Sequence, residues 1–242
     1  MKRYTFRIKR FDPEKENFRW DEFSVDMEPM ERVLDGLDRI KDYADGSLTF
    51  RRSCGHGICG SCAMKINGRN RLACQSLLRD IEGRGTARRA PTVVIEPLEA
   101  FPVIKDLVVD MEDFFEKNDL VLPYLINDEP PPERERLQSP SEQEMILESI
   151  TCIMCGSCTS SCPIYWTDSQ YLGPSSLLKA YRFIFDSRDR AEEERLEKVT
   201  GVHGLWRCHS IFNCVESCPK EIDITGHITE LKRLALKNRF RS

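Results

Sequence analysis

The sequence predicts an α+β protein in two parts, a mixed-β N-terminal domain followed by an all-α domain. Three observations support this. Apolar and polar residues alternate in short runs up to Pro97, helical spacings dominate afterwards, and a polar, proline-rich stretch over 127–141 interrupts the second half. We place the boundary after Lys105, giving domains 1–105 and 106–242.

The N-terminal elements follow from local pattern. Tyr4, Phe6 and Ile8 alternate with polar residues, and Phe18, Trp20, Phe23 and Val25 suggest a partner strand. Met30, Val33, Leu34, Leu37 and Ile40 then fall on one helical face. Ala63 to Ile66 meets Asn67-Gly68, the strongest short hairpin signal, before Arg71-Leu72-Ala73. Val93 to Ile95 is a further strand, so a small twisted sheet crossed by one helix is expected. In the second half, 104–115 reads as the first helix. Ser139 and Glu142 form a capping box with Pro140 at the first helical position, so a helix runs towards Cys152. Pro174 opens another, with Leu177, Tyr181 and Ile184 on one face. Ile224, Ile228, Leu231 and Ala235 line a last helix that ends in a basic tail, Lys237 to Arg241. The charged residues of 186–198 read as a solvated helix face.

Composition narrows the function. At 242 residues with 31% charged and 40% hydrophobic residues, the chain suits two globular domains with a modest core. A formal net charge of −4 lacks the basic footprint of a nucleic-acid binder, so no nucleic-acid partner is expected. There is no long apolar run, so no membrane-spanning segment is expected. Met1-Lys2-Arg3 leads straight into a strand pattern, without the apolar segment of a signal peptide. Eleven cysteines in that setting point to a reducing compartment and metal ligation, not disulfides.

Cys54-x4-Cys59-x2-Cys62 with a later Cys74 is the plant-type spacing for a [2Fe–2S] cluster. Gly55, Gly57 and Gly60 let that loop turn backbone N–H groups towards sulfur, and Arg51 and Arg52 precede it as candidate electrostatic support. A zinc site is the competing reading, but zinc usually takes two separated cysteine pairs. A Rieske centre needs two histidines and this loop holds His56 alone, which reads as a surface or outer residue.

Cys152, Cys155, Cys158 and Cys162 with Pro163 form the run C-x2-C-x2-C-x3-C-P, whose fourth cysteine ligates the other cluster. The run recurs as Cys208, Ile211, Cys214 and Cys218 with Pro219. Crossed ligation assigns Cys152, Cys155, Cys158 and Cys218 to a [4Fe–4S] cluster. It leaves Cys162, Cys208 and Cys214 with Ile211 at the fourth corner. Isoleucine cannot ligate iron, so a [3Fe–4S] cluster is expected there.

These groups, with Phe101 to Asp110, Arg52 to Cys62, Ala180 to Phe183, Asp186 to Asp189 and Arg207 to Ile211, closely resemble the iron–sulfur subunit of succinate dehydrogenase and fumarate reductase over nearly the whole chain. The resemblance implies a β-grasp plant-type ferredoxin domain followed by an all-α bacterial-type ferredoxin domain. It implies an FAD-containing flavoprotein subunit, where succinate is oxidised, and membrane anchor subunits. Electrons would pass through the [2Fe–2S], [4Fe–4S] and [3Fe–4S] clusters to quinone, and the chain would sit at the cytoplasmic face of the inner membrane, peripheral through its anchors. Carried over by position, the quinone pocket includes Pro163, His209 and Ile211. Thr167 follows Tyr165-Trp166 where many succinate dehydrogenases have the second of two tryptophans, which makes menaquinone plausible. The dehydrogenase direction is the leading reading, fumarate reductase the alternative within the family, and a free-standing multi-cluster ferredoxin the alternative outside it. The chain shows neither a dinucleotide fingerprint nor a paired-carboxylate arrangement, so dicarboxylate chemistry is expected on the partner.

Overall fold

The computed structural model describes residues 1–82 and 90–239; the end of the predicted basic tail lies outside the described residues. The described strands are β1 (Lys2–Asp12), β2 (Asn17–Met27), β3 (Ala63–Ile66), β4 (Arg69–Leu72), β5 (Thr92–Glu96), β6 (Val103–Lys105) and β7 (Val108–Val109). The helices are α1 (Val33–Tyr43), α2 (Leu78–Ile81), α3 (Glu112–Asp119), α4 (Pro140–Ile150), α5 (Ser157–Ser160) and α6 (Pro163–Thr167), then α7 (Gly173–Ile184), α8 (Glu192–Thr200), α9 (Asn213–Glu216) and α10 (Ile224–Arg239). The chain divides into two compact units, Met1–Met111 with Ile153–Ser160, and Glu112–Cys152 with Ser161–Ser242.

The first unit is a mixed sheet in the order β2-β1-β5-β3-β4, in which β1 runs antiparallel to β2 and parallel to β5. This is the β-grasp arrangement. Tyr4, Phe6 and Ile8 point inward and pack against Val33, Leu34, Leu37 and Ile40 of α1, all buried. Gly36 lets the helix lie close, since a Cβ there would sit 2.2 Å from the Phe6 ring. Asn67 and Gly68 have φ of 47° and 78°, both left-handed as a tight β3–β4 hairpin requires.

Two helix expectations change here. Met30 lies before α1 and is exposed, so the helix starts three residues later than the pattern suggests. Phe18 and Trp20 are exposed, whereas Phe23 and Val25 pack on the core, because the two pairs differ in strand parity. The stretch 104–115 is not one helix. Its first part is the β6–β7 hairpin, and α3 begins only at Glu112. Asp106 turns the hairpin at φ 49°, and its carboxylate takes two hydrogen bonds from Arg10 at 3.0 Å and one from the Thr49 N–H at 2.9 Å.

In the second unit α4 carries the predicted capping box, with Ser139 Oγ accepting from the Glu142 N–H and Glu142 accepting from the Ser139 N–H. α10 packs on α7 through Leu177, Ile224, Ile228 and Leu231, all buried. The charged stretch 186–198 is only partly a solvated face. Asp186, Asp189 and Arg195 are buried because each is paired: Asp189 with Arg195, and Asp186 with Arg182 and Arg188.

Burial alone would raise the Asp186 carboxyl, but hydrogen bonds from Arg188 and Arg182 outweigh it and hold the group well below the usual carboxylate range. A depressed folded-state value contributes stability that is present above the unfolded value, about pH 4, and is lost as the pH falls below it. Asp186→Asn is therefore expected to cost about 3 kcal/mol at neutral pH, by stranding two arginines, and to flatten the acid limb of the unfolding midpoint against pH. Thermal unfolding at a series of pH values checks this; parallel acid limbs in the two proteins would contradict it.

Candidate metal centres

In the first unit the loop after Cys54 folds round its own sulfurs. Gly55, Gly57 and Gly60 take φ of 73°, 78° and 73°, as their spacing predicts. The N–H groups of His56, Ile58 and Cys59 donate to Cys54 Sγ at 3.4–3.5 Å, and the Cys54 N–H donates to Cys59 Sγ. These donors pull the Cys54 thiol down to about 6. Cys59, exposed, is lowered by Ser61, whereas burial pushes the Cys62 thiol up to about 12. The Cys74 N–H donates to Cys62 Sγ at 3.4 Å. Convergent N–H donors on thiolates suit a cluster whose sulfur charge must be delocalised, so the residues present fit a [2Fe–2S] group.

The polar surroundings differ from expectation. Arg52 pairs with Asp38 at 2.9 Å, while Arg32 donates to the Gly55 carbonyl at 2.8 Å. No local sequence signal ties Arg32 to this loop. His56 is exposed, and its Nδ1 meets the Cys54 carbonyl at 2.7 Å, consistent with an outer role.

Gly60 has a second constraint. A Cβ there would lie 2.8 Å from Cys155 Cβ and 2.9 Å from Cys155 Cα. Gly60→Ala combines that clash with a left-handed backbone costing about 1–2 kcal/mol. The expected result is a chain that retains much less of its [2Fe–2S] cluster, read from iron and sulfide content. Full content in this variant would count against the packing described.

In the second unit Cys162, Cys208 and Cys214 come together with Pro163, His209 and Ile211, all lining one small recess. Burial raises the Cys162 thiol, opposed by N–H groups of Tyr165 and Ile164 at the start of α6; Pro163, which has no N–H, occupies its first position. Burial also raises Cys214, opposed chiefly by the Thr225 hydroxyl. Ile211 is 48% exposed at the rim, with Phe212 and His209 beside it also exposed. Trp166 is half-exposed, and the Thr167 hydroxyl donates back to the Ile164 carbonyl at 3.1 Å.

The sequence repeat is also a backbone repeat. Met154 and Gly156 flank Cys155 with φ of 54° and 78°, and Ser210 and Phe212 flank Ile211 with φ of 54° and 69°. Left-handed φ is uncommon for a serine and an outlier for a phenylalanine. Ile211 thus occupies the same backbone setting as Cys155. Ser161 and Ser217, at equivalent positions of the two runs, meet at 2.7 Å between hydroxyls.

The remaining cysteines are placed unit by unit. Cys155 and Cys158 lie on Ile153–Ser160 in the first unit, where Cys155 packs against the core and Cys158 is buried. Cys152 and Cys218 belong to the second, where burial raises the Cys218 thiol, N–H groups of Ile222 and Lys220 oppose this, and the negative charge of Cys152 adds to the rise. Among the described residues, no group of three or more His, Cys, Asp and Glu side chains is placed to hold a metal ion. No helix of the described residues is long and apolar enough to cross a membrane.

Residues 5–116 match the family described as the 2Fe-2S iron-sulfur cluster binding domain, and residues 144–219 match the 4Fe-4S dicluster domain. The chain is 45% identical over 234 residues to the succinate dehydrogenase iron-sulfur subunit of Paracoccus denitrificans, covering 95% of this chain and 86% of that one. It is 40% identical over 232 residues to the subunit of the same name from Coxiella burnetii, covering 94% and 95%. In fold it matches a chain of the Mycobacterium smegmatis Sdh1 complex in the apo form, with a TM-score of 0.82 at 24% identity, over 99% of this chain and 98% of that chain. With two cysteine-bearing units of this kind and relatives this similar over almost its full length, the chain belongs to the succinate dehydrogenase iron–sulfur subunits.

Proposed function

We propose that the chain relays single electrons from an FAD-containing flavoprotein partner to membrane quinone as part of a succinate:quinone oxidoreductase. Cys54, Cys59, Cys62 and Cys74 would hold a [2Fe–2S] cluster, Cys152, Cys155, Cys158 and Cys218 a [4Fe–4S] cluster, and Cys162, Cys208 and Cys214 a [3Fe–4S] cluster. Bound clusters supply one-electron chemistry, which links a two-electron flavin to acceptors reduced one electron at a time. The chain's own work is to hold the thiolates, aim N–H groups at them and limit water. The boundary at 105/106 would separate the [2Fe–2S] domain from the domain of the other two.

The observation that carries this reading is the recess where three cysteines surround an apolar corner on ligand-shaped backbone. Pro163, His209 and Ile211 line the same recess, which supports a quinone site beside it; membrane anchor subunits would meet the chain on that side, at the cytoplasmic face. Both named relatives are dehydrogenase subunits, so fumarate reduction is not favoured.

The test is to purify the complex from its source membranes and add succinate. A flavin-bearing chain should copurify, and succinate should reduce the clusters on this chain, followed by electron paramagnetic resonance. A monomer without a flavoprotein, or clusters that succinate leaves oxidised, would favour the free ferredoxin reading.

A further inference from the structure

Thr225 has a hydroxyl that helix formation does not use. It lies in the first turn of α10, 3% exposed. The carboxylate of Asp223 already accepts the Gly226 N–H at 2.9 Å, so the helix start is capped without it. A threonine further along a helix commonly returns its hydroxyl to a carbonyl one turn earlier, as Thr229 does to the Thr225 carbonyl at 2.8 Å. In the first turn no helical carbonyl precedes Thr225. Its Oγ1 instead lies 3.4 Å from Cys214 Sγ, at the wall of the recess.

As a thiol and a hydroxyl, either atom could donate. As an iron ligand, Cys214 is a thiolate and has no proton to give. The bond then has one polarity, O–H to sulfur. We propose that Thr225 raises the reduction potential of the cluster held by Cys162, Cys208 and Cys214, by donating a hydrogen bond to the Cys214 thiolate.

The sign follows from charge. Reduction adds one electron and, through this bond, moves no proton, so the sulfurs become more negative. A fixed donor stabilises the more negative state more strongly, and hydrogen bonds to sulfur are among the determinants of cluster potential. Burial strengthens the effect, since both residues are more than nine-tenths shielded from water. The potential of the relay beside quinone would thus depend on a side chain outside both cysteine runs. This inference rests on the three-iron reading above.

The test is a potentiometric titration of the intact complex, read by the resonance of the oxidised three-iron cluster. Thr225→Val keeps the shape and removes the donor, Thr225→Ala removes it with less bulk, and Thr225→Ser keeps it. The expected result is a lower midpoint in the valine and alanine variants. The reduced-to-oxidised ratio at a fixed potential should fall by up to about fivefold, since the difference in the bond between the two states is at most the size of one hydrogen bond. The serine variant should titrate close to the parent, and the [2Fe–2S] midpoint should not move in any of them. Midpoints equal to the parent in the valine and alanine variants would overturn the proposal. So would a serine variant that shifts as far as valine, or failure of all three to hold the cluster, since either outcome assigns the residue to packing. A parent complex without any three-iron signal would instead overturn the cluster assignment beneath it.

Discussion

Ile211→Cys is expected to raise the iron content from about nine to about ten per chain and to abolish the oxidised three-iron resonance. The reason lies in backbone as much as in side chain. Ser210 and Phe212 already hold the left-handed conformations that Met154 and Gly156 hold round Cys155, so a cysteine at 211 enters the backbone setting of Cys155. The recess beside it already contains Cys162, Cys208 and Cys214. A fourth thiolate changes net charge and cluster type together, so the midpoint changes as well. Iron analysis and resonance spectra of the variant check this. An unchanged three-iron spectrum would mean that residue 211 does not occupy the missing corner.

Arg10→Met is expected to lower the stability of the first unit by about 3–5 kcal/mol. Arg10 is 1% exposed and donates to both oxygens of Asp106, to Asp45, to Asp21 and to Ser47. It joins β1 to the β6–β7 hairpin and to the loop at 45–49, which leads into the cysteine loop. Methionine fills much of the same volume but leaves the buried Asp106 carboxylate without its main partner, and removing one member of a buried ion pair costs more than the pair contributes. The measurement is the denaturant midpoint for loss of the [2Fe–2S] absorption in the full chain. A midpoint within error of the parent would show that the network contributes little.

What the sequence reveals depends on the range of the cause. Cysteine spacing is local, so the plant-type group and the repeated runs are legible, and so is the isoleucine that stands at 211 in a cysteine's place. Local turn and cap chemistry is equally legible, as with Asn67-Gly68 and the Ser139–Glu142 box. The β6–β7 hairpin is not, because a short apolar run such as Val103 to Val109 suits a strand or a helix alike. Its turn at Asp106 is held by Arg10, which lies far away in sequence. The charges at Asp186, Asp189 and Arg195 read as solvated for the same reason, since their burial depends on pairing within the folded unit. Thr225 carries no motif; only its distance to Cys214 distinguishes it from an ordinary helix-start threonine.

The most direct test of the central claim is electron paramagnetic resonance of the purified complex, first oxidised and then reduced, with iron counted on the same sample. The account predicts a three-iron signal in the oxidised state, [2Fe–2S] and [4Fe–4S] signals on reduction, and about nine irons on this chain. Two four-iron clusters with no three-iron signal, or zinc in place of iron, would contradict it.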